Sequence, residues 1–172
     1  MADFRDRIRR DQTSYETWLD WIPGFKGYRE RESRRDADRL VREYLVRLLA
    51  EVQAKVRRAT GDLAKQAKLT QMGALDSLGK RLEGLTDRLR YADAGYSGWF
   101  DAVKIKEDDL DRLYDYDLSL KQFIADLDAA VAELAALPEG EMAKGLDKVH
   151  TALDELDHMV KNREQVVLQL VP

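Results

Sequence analysis

Four leucine-rich seams constrain this chain more than any other feature of its 172 residues. Leu75, Leu78, Leu82, Leu85 and Leu89 recur at spacings of three and four, which places them on one face of an α-helix. Leu110, Leu113, Asp117, Leu120, Ile124, Leu127, Val131 and Leu134 repeat the pattern, with one carboxylate among the apolar positions. Met142, Leu146, Val149, Leu153, Leu156, Val160, Arg163 and Val167 repeat it again, with one guanidinium. A fourth seam reads Val41, Leu45, Leu48 and Val52, flanked by Leu40, Tyr44 and Leu49. Each seam is apolar on one face only, so each helix must bury that face against the others. The expected fold is all-α: an antiparallel up-down-up-down four-helix bundle with long, coiled-coil-like helices and a short N-terminal helical arm.

The punctuation sets the boundaries. Thr60-Gly61-Asp62 is a helix stop, and Pro138-Glu139-Gly140 is a turn. The glycines of Tyr91-Ala-Asp-Ala-Gly-Tyr-Ser-Gly-Trp-Phe100 make that segment a loop. Helices are therefore expected over about 29–59, 62–90, 107–136 and 139–168. Gly73, Gly79 and Gly84 weaken the second helix, and a close helix approach would account for them. Glu107, Asp108 and Asp109 crowd the start of the third, where the helix dipole favours negative charge. Residues 29–172 form the bundle. Residues 1–28 are an amphipathic arm (Phe4, Ile8, Tyr15, Trp18 and Leu19) followed by the turn Trp21-Ile-Pro-Gly-Phe-Lys-Gly-Tyr28.

Composition excludes several classes of function. With no cysteine, thiol nucleophiles, disulfides and zinc-thiolate or iron–sulfur sites are impossible. The opening MADFRDRIRR lacks the apolar core of a signal peptide, and no apolar run is long enough to span a bilayer, so a cytoplasmic location is expected. Residues 1–100 carry 21 Lys and Arg against 16 Asp and Glu, and residues 101–172 carry 8 against 17. Halves of opposite sign neutralise each other when packed, which leaves no uncovered basic face for nucleic acid. Glu155-Leu-Asp-His158 matches one arm of a di-iron motif, but Leu153, Leu156 and Val160 take the inward positions and the motif has no second copy. No nucleophile elbow or phosphate loop occurs. We expect no catalytic residue, no metal site and no cofactor.

In an up-down-up-down bundle both Gly/aromatic segments fall at one end. That end gathers Trp18, Trp21, Phe25, Tyr28, Tyr91, Tyr96, Trp99 and Phe100. These residues form either a second small core or a recognition surface, since Trp and Tyr anchor interfaces. Arg34, Asp38, Asp117 and Arg163 occupy seam positions near the same end, and charges there must pair. They are expected to form a polar network that fixes helix register, or that lines a small-ligand or anion pocket beneath the aromatic loops.

Trp21-Ile-Pro-Gly-Phe-Lys-Gly-Tyr-Arg-Glu-Arg-Glu-Ser-Arg-Arg-Asp-Ala-Asp-Arg39 and Arg90-Tyr-Ala-Asp-Ala-Gly-Tyr-Ser-Gly-Trp-Phe-Asp-Ala-Val-Lys104 together resemble a group of uncharacterised bacterial helical proteins. The resemblance implies no activity and draws attention to the aromatic end. The expected function is a non-enzymatic adaptor or scaffold that binds a protein partner, or itself, through that end. The alternative is a peripheral membrane protein anchored by residues 1–21, where Arg5, Arg7, Arg9 and Arg10 accompany Phe4 and Ile8.

Overall fold

A computed structural model describes residues 19–20, 22–24, 34–66, 68–92 and 107–169; the side chains of 34–36, 107–111, 139, 164 and 167–169 are outside that description. Among the described residues there are four long helices and no strand. They are α1 (Arg34–Lys65), α2 (Leu69–Tyr91), α3 (Glu107–Ala136) and α4 (Met142–Gln169). A 3₁₀ turn, Glu139–Glu141, precedes α4.

The α1–α2 boundary differs from the expected one. α1 runs straight through Thr60-Gly61-Asp62 and stops at Lys65. The reason is Leu63, which is buried and extends the apolar face beyond Val52 and Val56. Burying a leucine stabilises by about 1.5–3 kcal/mol, more than the roughly 1 kcal/mol that an interior glycine costs. Thr60 stays helical by returning its hydroxyl to the Val56 carbonyl at 2.9 Å. The helix closes instead just after Lys65, where the amides of Gln66 and Lys68 both reach the Leu63 carbonyl at 3.1 Å.

Two seams are also corrected. On α1 the fully buried residue is Leu49, and Leu48 is half-buried. On α4 Leu146 is half-buried and Gly145 is buried. A methyl group at Gly145 would meet Leu134 Cδ1 at 2.8 Å and collide with Leu137 Cδ1. Close helix approach therefore belongs to Gly145. Around Gly73 and Gly84 there is open space, and Gly79 only touches Val56 at ordinary distance. Gly84→Ala is expected to stabilise the protein by about 0.5–1 kcal/mol, since it adds helix propensity without a clash. Urea unfolding of that variant checks it.

Helix directions follow from the pairs that bridge them. Gln53 reaches Thr86 at 2.8 Å and Arg42 reaches the Arg90 carbonyl at 3.4 Å, so α1 and α2 are antiparallel. Tyr116 donates to the Met159 carbonyl at 2.8 Å and Lys148 pairs with Glu133, so α3 and α4 are antiparallel. The two hairpins stack with α1 against α3 and α2 against α4. Lys55 meets Asp128 at 2.6 Å, while Arg81 and Arg88 meet Asp154 and Asp157, so these neighbours are parallel. Around the bundle the order is α1, α2, α4, α3. Both hairpin turns lie at one end, here the closed end. At the other, the open end, the helices carry Arg34, Tyr91, Glu107 and Gln169 as their terminal residues.

The core runs the length of this arrangement. Val41, Leu45, Leu49, Val52 and Val56 of α1 meet Leu75, Leu78, Leu82, Leu85 and Leu89 of α2. Leu120, Ile124, Leu127, Val131 and Leu134 of α3 and Val149, Leu153, Leu156 and Val160 of α4 complete it. From the N-terminal arm, Leu19 and Ile22 are buried in the same cluster. Beside them Gly24 adopts φ 87°, a turn conformation that suits glycine.

Candidate functional site

Near the open end a layer of charge interrupts the leucines. Asp38 and Arg42 stand one turn apart on α1, Asp117 on α3 and Arg163 on α4. All four are buried, with Asp117 at 0% and Asp38 and Arg163 at 2% exposure. Arg163 forms a two-pronged bond to Asp117, Nε to Oδ1 at 2.6 Å and Nη2 to Oδ2 at 2.8 Å. Its Nη2 also donates to Asp38 Oδ1 at 2.7 Å. The second oxygen of Asp38 accepts from Arg42 Nε at 2.8 Å. Arg42 in turn reaches the Arg90 carbonyl of α2, so this one layer touches all four helices.

The layer carries two positive and two negative groups. Burial alone would neutralise each carboxylate; the guanidiniums oppose it unequally. At Asp38 burial raises the pKa, but the charges of Arg163 and Arg42 outweigh it and hold the carboxyl below its ordinary value near 3.8. Asp117 has Arg163 as its hydrogen-bonded partner and is more completely enclosed, so burial pushes it above the ordinary value. Arg163 is pulled down by burial and held up more strongly by Asp117 and Asp38, so it stays charged.

These shifts have opposite consequences for stability. Asp38 contributes stability that is complete above its unfolded value and is lost as pH falls through its lower folded value. Asp117 contributes stability that is complete below its unfolded value and is lost as pH rises through its raised folded value. Asp38→Asn should therefore remove part of the loss of stability that the wild type suffers below about pH 4. Urea midpoints measured from pH 2 to 7 on both proteins check this.

The structure brings Asp38, Asp117 and Arg163 together. Arg34 is the first residue of α1, and its side chain lies outside the described residues. Arg42 was missing from the sequence reading. An Asp and an Arg four residues apart on one helix face is the signal that could have found it. Of the aromatic residues expected at this end, Tyr91 is described. It is the last residue of α2 and is 65% exposed. Trp18, Trp21, Phe25, Tyr28, Tyr96, Trp99 and Phe100 lie outside the described residues.

Other places offer less chemistry. A shallow groove of about 290 Å³ between α2 and α4 is lined by Lys80, Arg81, Gly84, Arg88 and Asp157. Its cations are paired with Asp76, Asp154 and Asp157. His150 lies 3.2 Å from Arg81, and His158 is exposed beside Asn162. Among the described residues no cluster of three or more His, Asp or Glu could hold a metal ion. No helix there is long and apolar enough to cross a membrane.

The hairpins divide the charge between them. Residues 34–91 carry 14 basic and 8 acidic groups, and residues 107–169 carry 6 and 16. The pairs Lys55–Asp128, Arg81–Asp154 and Arg88–Asp157, the first partly buried and the others at the surface, all run from the basic hairpin to the acidic one. Comparison with protein-family models, with curated proteins and with solved structures finds no match to this chain, so its function has to be argued from its own geometry.

Proposed function

We propose that the protein is a non-catalytic helical scaffold that binds a protein partner, or a second copy of itself, through the open end of the bundle. One observation carries this reading: the four helices terminate together at an end where a buried ion-pair layer interrupts the apolar core. Such a layer adds little stability over an apolar one, and its best-attested role is to fix one geometry. It holds in register the helix ends that flank two segments rich in Trp and Tyr. Tyr91, exposed at that end, is one of two large apolar residues left open to solvent among the described residues. The membrane-anchor reading is less favoured, because Leu19 of the proposed anchor is buried in the core.

The second exposed residue supplies the control. Leu69 is 70% exposed and sits at the closed end. A photoreactive phenylalanine analogue placed at Tyr91 should crosslink in cells to a discrete protein, or to a second copy of the chain. The same group at Leu69 should yield no such product. Equal products from both positions, or none from Tyr91, would overturn the reading.

A further inference from the structure

The buried layer is assembled from two Arg–Asp pairs, each bonded within one hairpin. Arg42 and Asp38 belong to the α1–α2 hairpin, and their bond is made within α1 at 2.8 Å. Arg163 and Asp117 belong to the α3–α4 hairpin, and their double bond stays within it. Arg42 to the Arg90 carbonyl and Tyr116 to the Met159 carbonyl are likewise internal to one hairpin. Among the described residues a single buried polar bond crosses between the hairpins, Arg163 Nη2 to Asp38 Oδ1 at 2.7 Å. Breaking it leaves each hairpin with its own hydrogen-bonded Arg–Asp pair. Between described residues, the pairs at Lys55, Arg81 and Arg88 that also cross this boundary are open to solvent, and such pairs contribute little in water. The closed half is different: among the described residues its interior is apolar, with no buried charged residue, so parting there exposes apolar surface with no pairs kept intact.

We infer that the polar layer is a parting line: the α1–α2 and α3–α4 hairpins separate at the open end as intact helical pairs, each keeping its own Arg–Asp couple. The movement uncovers apolar residues of three helices, Val41 and Leu45 of α1, Ile124 of α3 and Val160 of α4. This gives the proposed recognition end a regulated form, in which the partner takes a minor open state and shifts its population. It rests on the partner reading only for what fills the opened face. The opening itself is tested without any partner.

The absence of cysteine makes the test clean. Single variants Val41→Cys and Val160→Cys place thiols near the layer; Val56→Cys and Val131→Cys place them in the closed half. All four positions are buried valines. Thiol labelling of the full chain under native conditions should be at least tenfold faster at 41 and 160 than at 56 and 131. Backbone amide exchange around Val41 should be at least tenfold more protected than its thiol, because the helices remain formed while the hairpins part. Uniform labelling at all four sites would overturn the inference. So would amides and thiol at Val41 opening with the same free energy, which is local unravelling of the helix end. Replacing the layer in the Val41→Cys background with Asp38→Leu, Arg42→Leu, Asp117→Leu and Arg163→Leu should slow labelling toward that of the closed half. Should that variant fail to fold, the comparison among the four wild-type-layer thiols decides alone.

Discussion

Arg163→Met is expected to destabilise the bundle by about 3–5 kcal/mol, the cost of leaving a buried charge uncompensated. The substitution strands two carboxylates. Asp117 loses its hydrogen-bonded partner in a site with no exposure, and Asp38 retains Arg42 alone. The urea midpoint should fall sharply, and part of the loss should be recovered at acid pH, where Asp117 is protonated. Replacing all four groups with leucine or methionine should behave oppositely. An apolar layer of similar volume is often neutral, or more stable by about 1–4 kcal/mol. If both changes destabilise equally, the layer holds the fold by the shape of its packing and its charges are incidental.

Leu49→Ala is expected to lose about 2–5 kcal/mol, the range for emptying a leucine site in a rigid core. Leu48→Ala should lose less than half as much, because Leu48 is half-buried at the edge of the same core. The adjacent pair makes a sensitive test of helix rotation. One residue is 100° of turn, and a seam through Leu48 would reverse the order of the two effects. Equilibrium urea unfolding of the two variants, compared at equal slope, settles which face α1 turns inward.

The same pair shows how far sequence periodicity reaches. On α3 it is unambiguous: from Leu113 to Leu134 the seam keeps spacings of three and four without a break, and all of its positions are buried. On α1 Leu48 and Leu49 offer two rotations with equal spacing, and only packing against α2 and α3 chooses between them. Gly61 reads as a stop because local propensity is all that a short window contains; Leu63 overrides it through burial, a tertiary effect. Asp38, Asp117 and Arg163 were legible because a charge in an apolar seam is conspicuous. Arg42 was not, since it stands next to Val41 of the apolar seam and reads as a flanking charge. The order of helices around the bundle was out of reach for a different reason. Nothing in a heptad pattern tells a helix which neighbour to take. That choice appears in Lys55–Asp128, Arg81–Asp154 and Arg88–Asp157, pairs between residues about seventy positions apart.

The division of charge between the hairpins bears on how the chain avoids assembling wrongly. A newly formed helical pair presents a bare leucine face, and in a crowded solution its nearest candidate for burial is the same pair on a neighbouring molecule. Two cationic pairs repel at that approach, as do two anionic ones; only unlike halves attract, at a range set by the Debye length. Sign therefore sorts the encounters before the leucines touch, and raising the salt concentration should weaken that sorting while leaving the finished bundle largely intact.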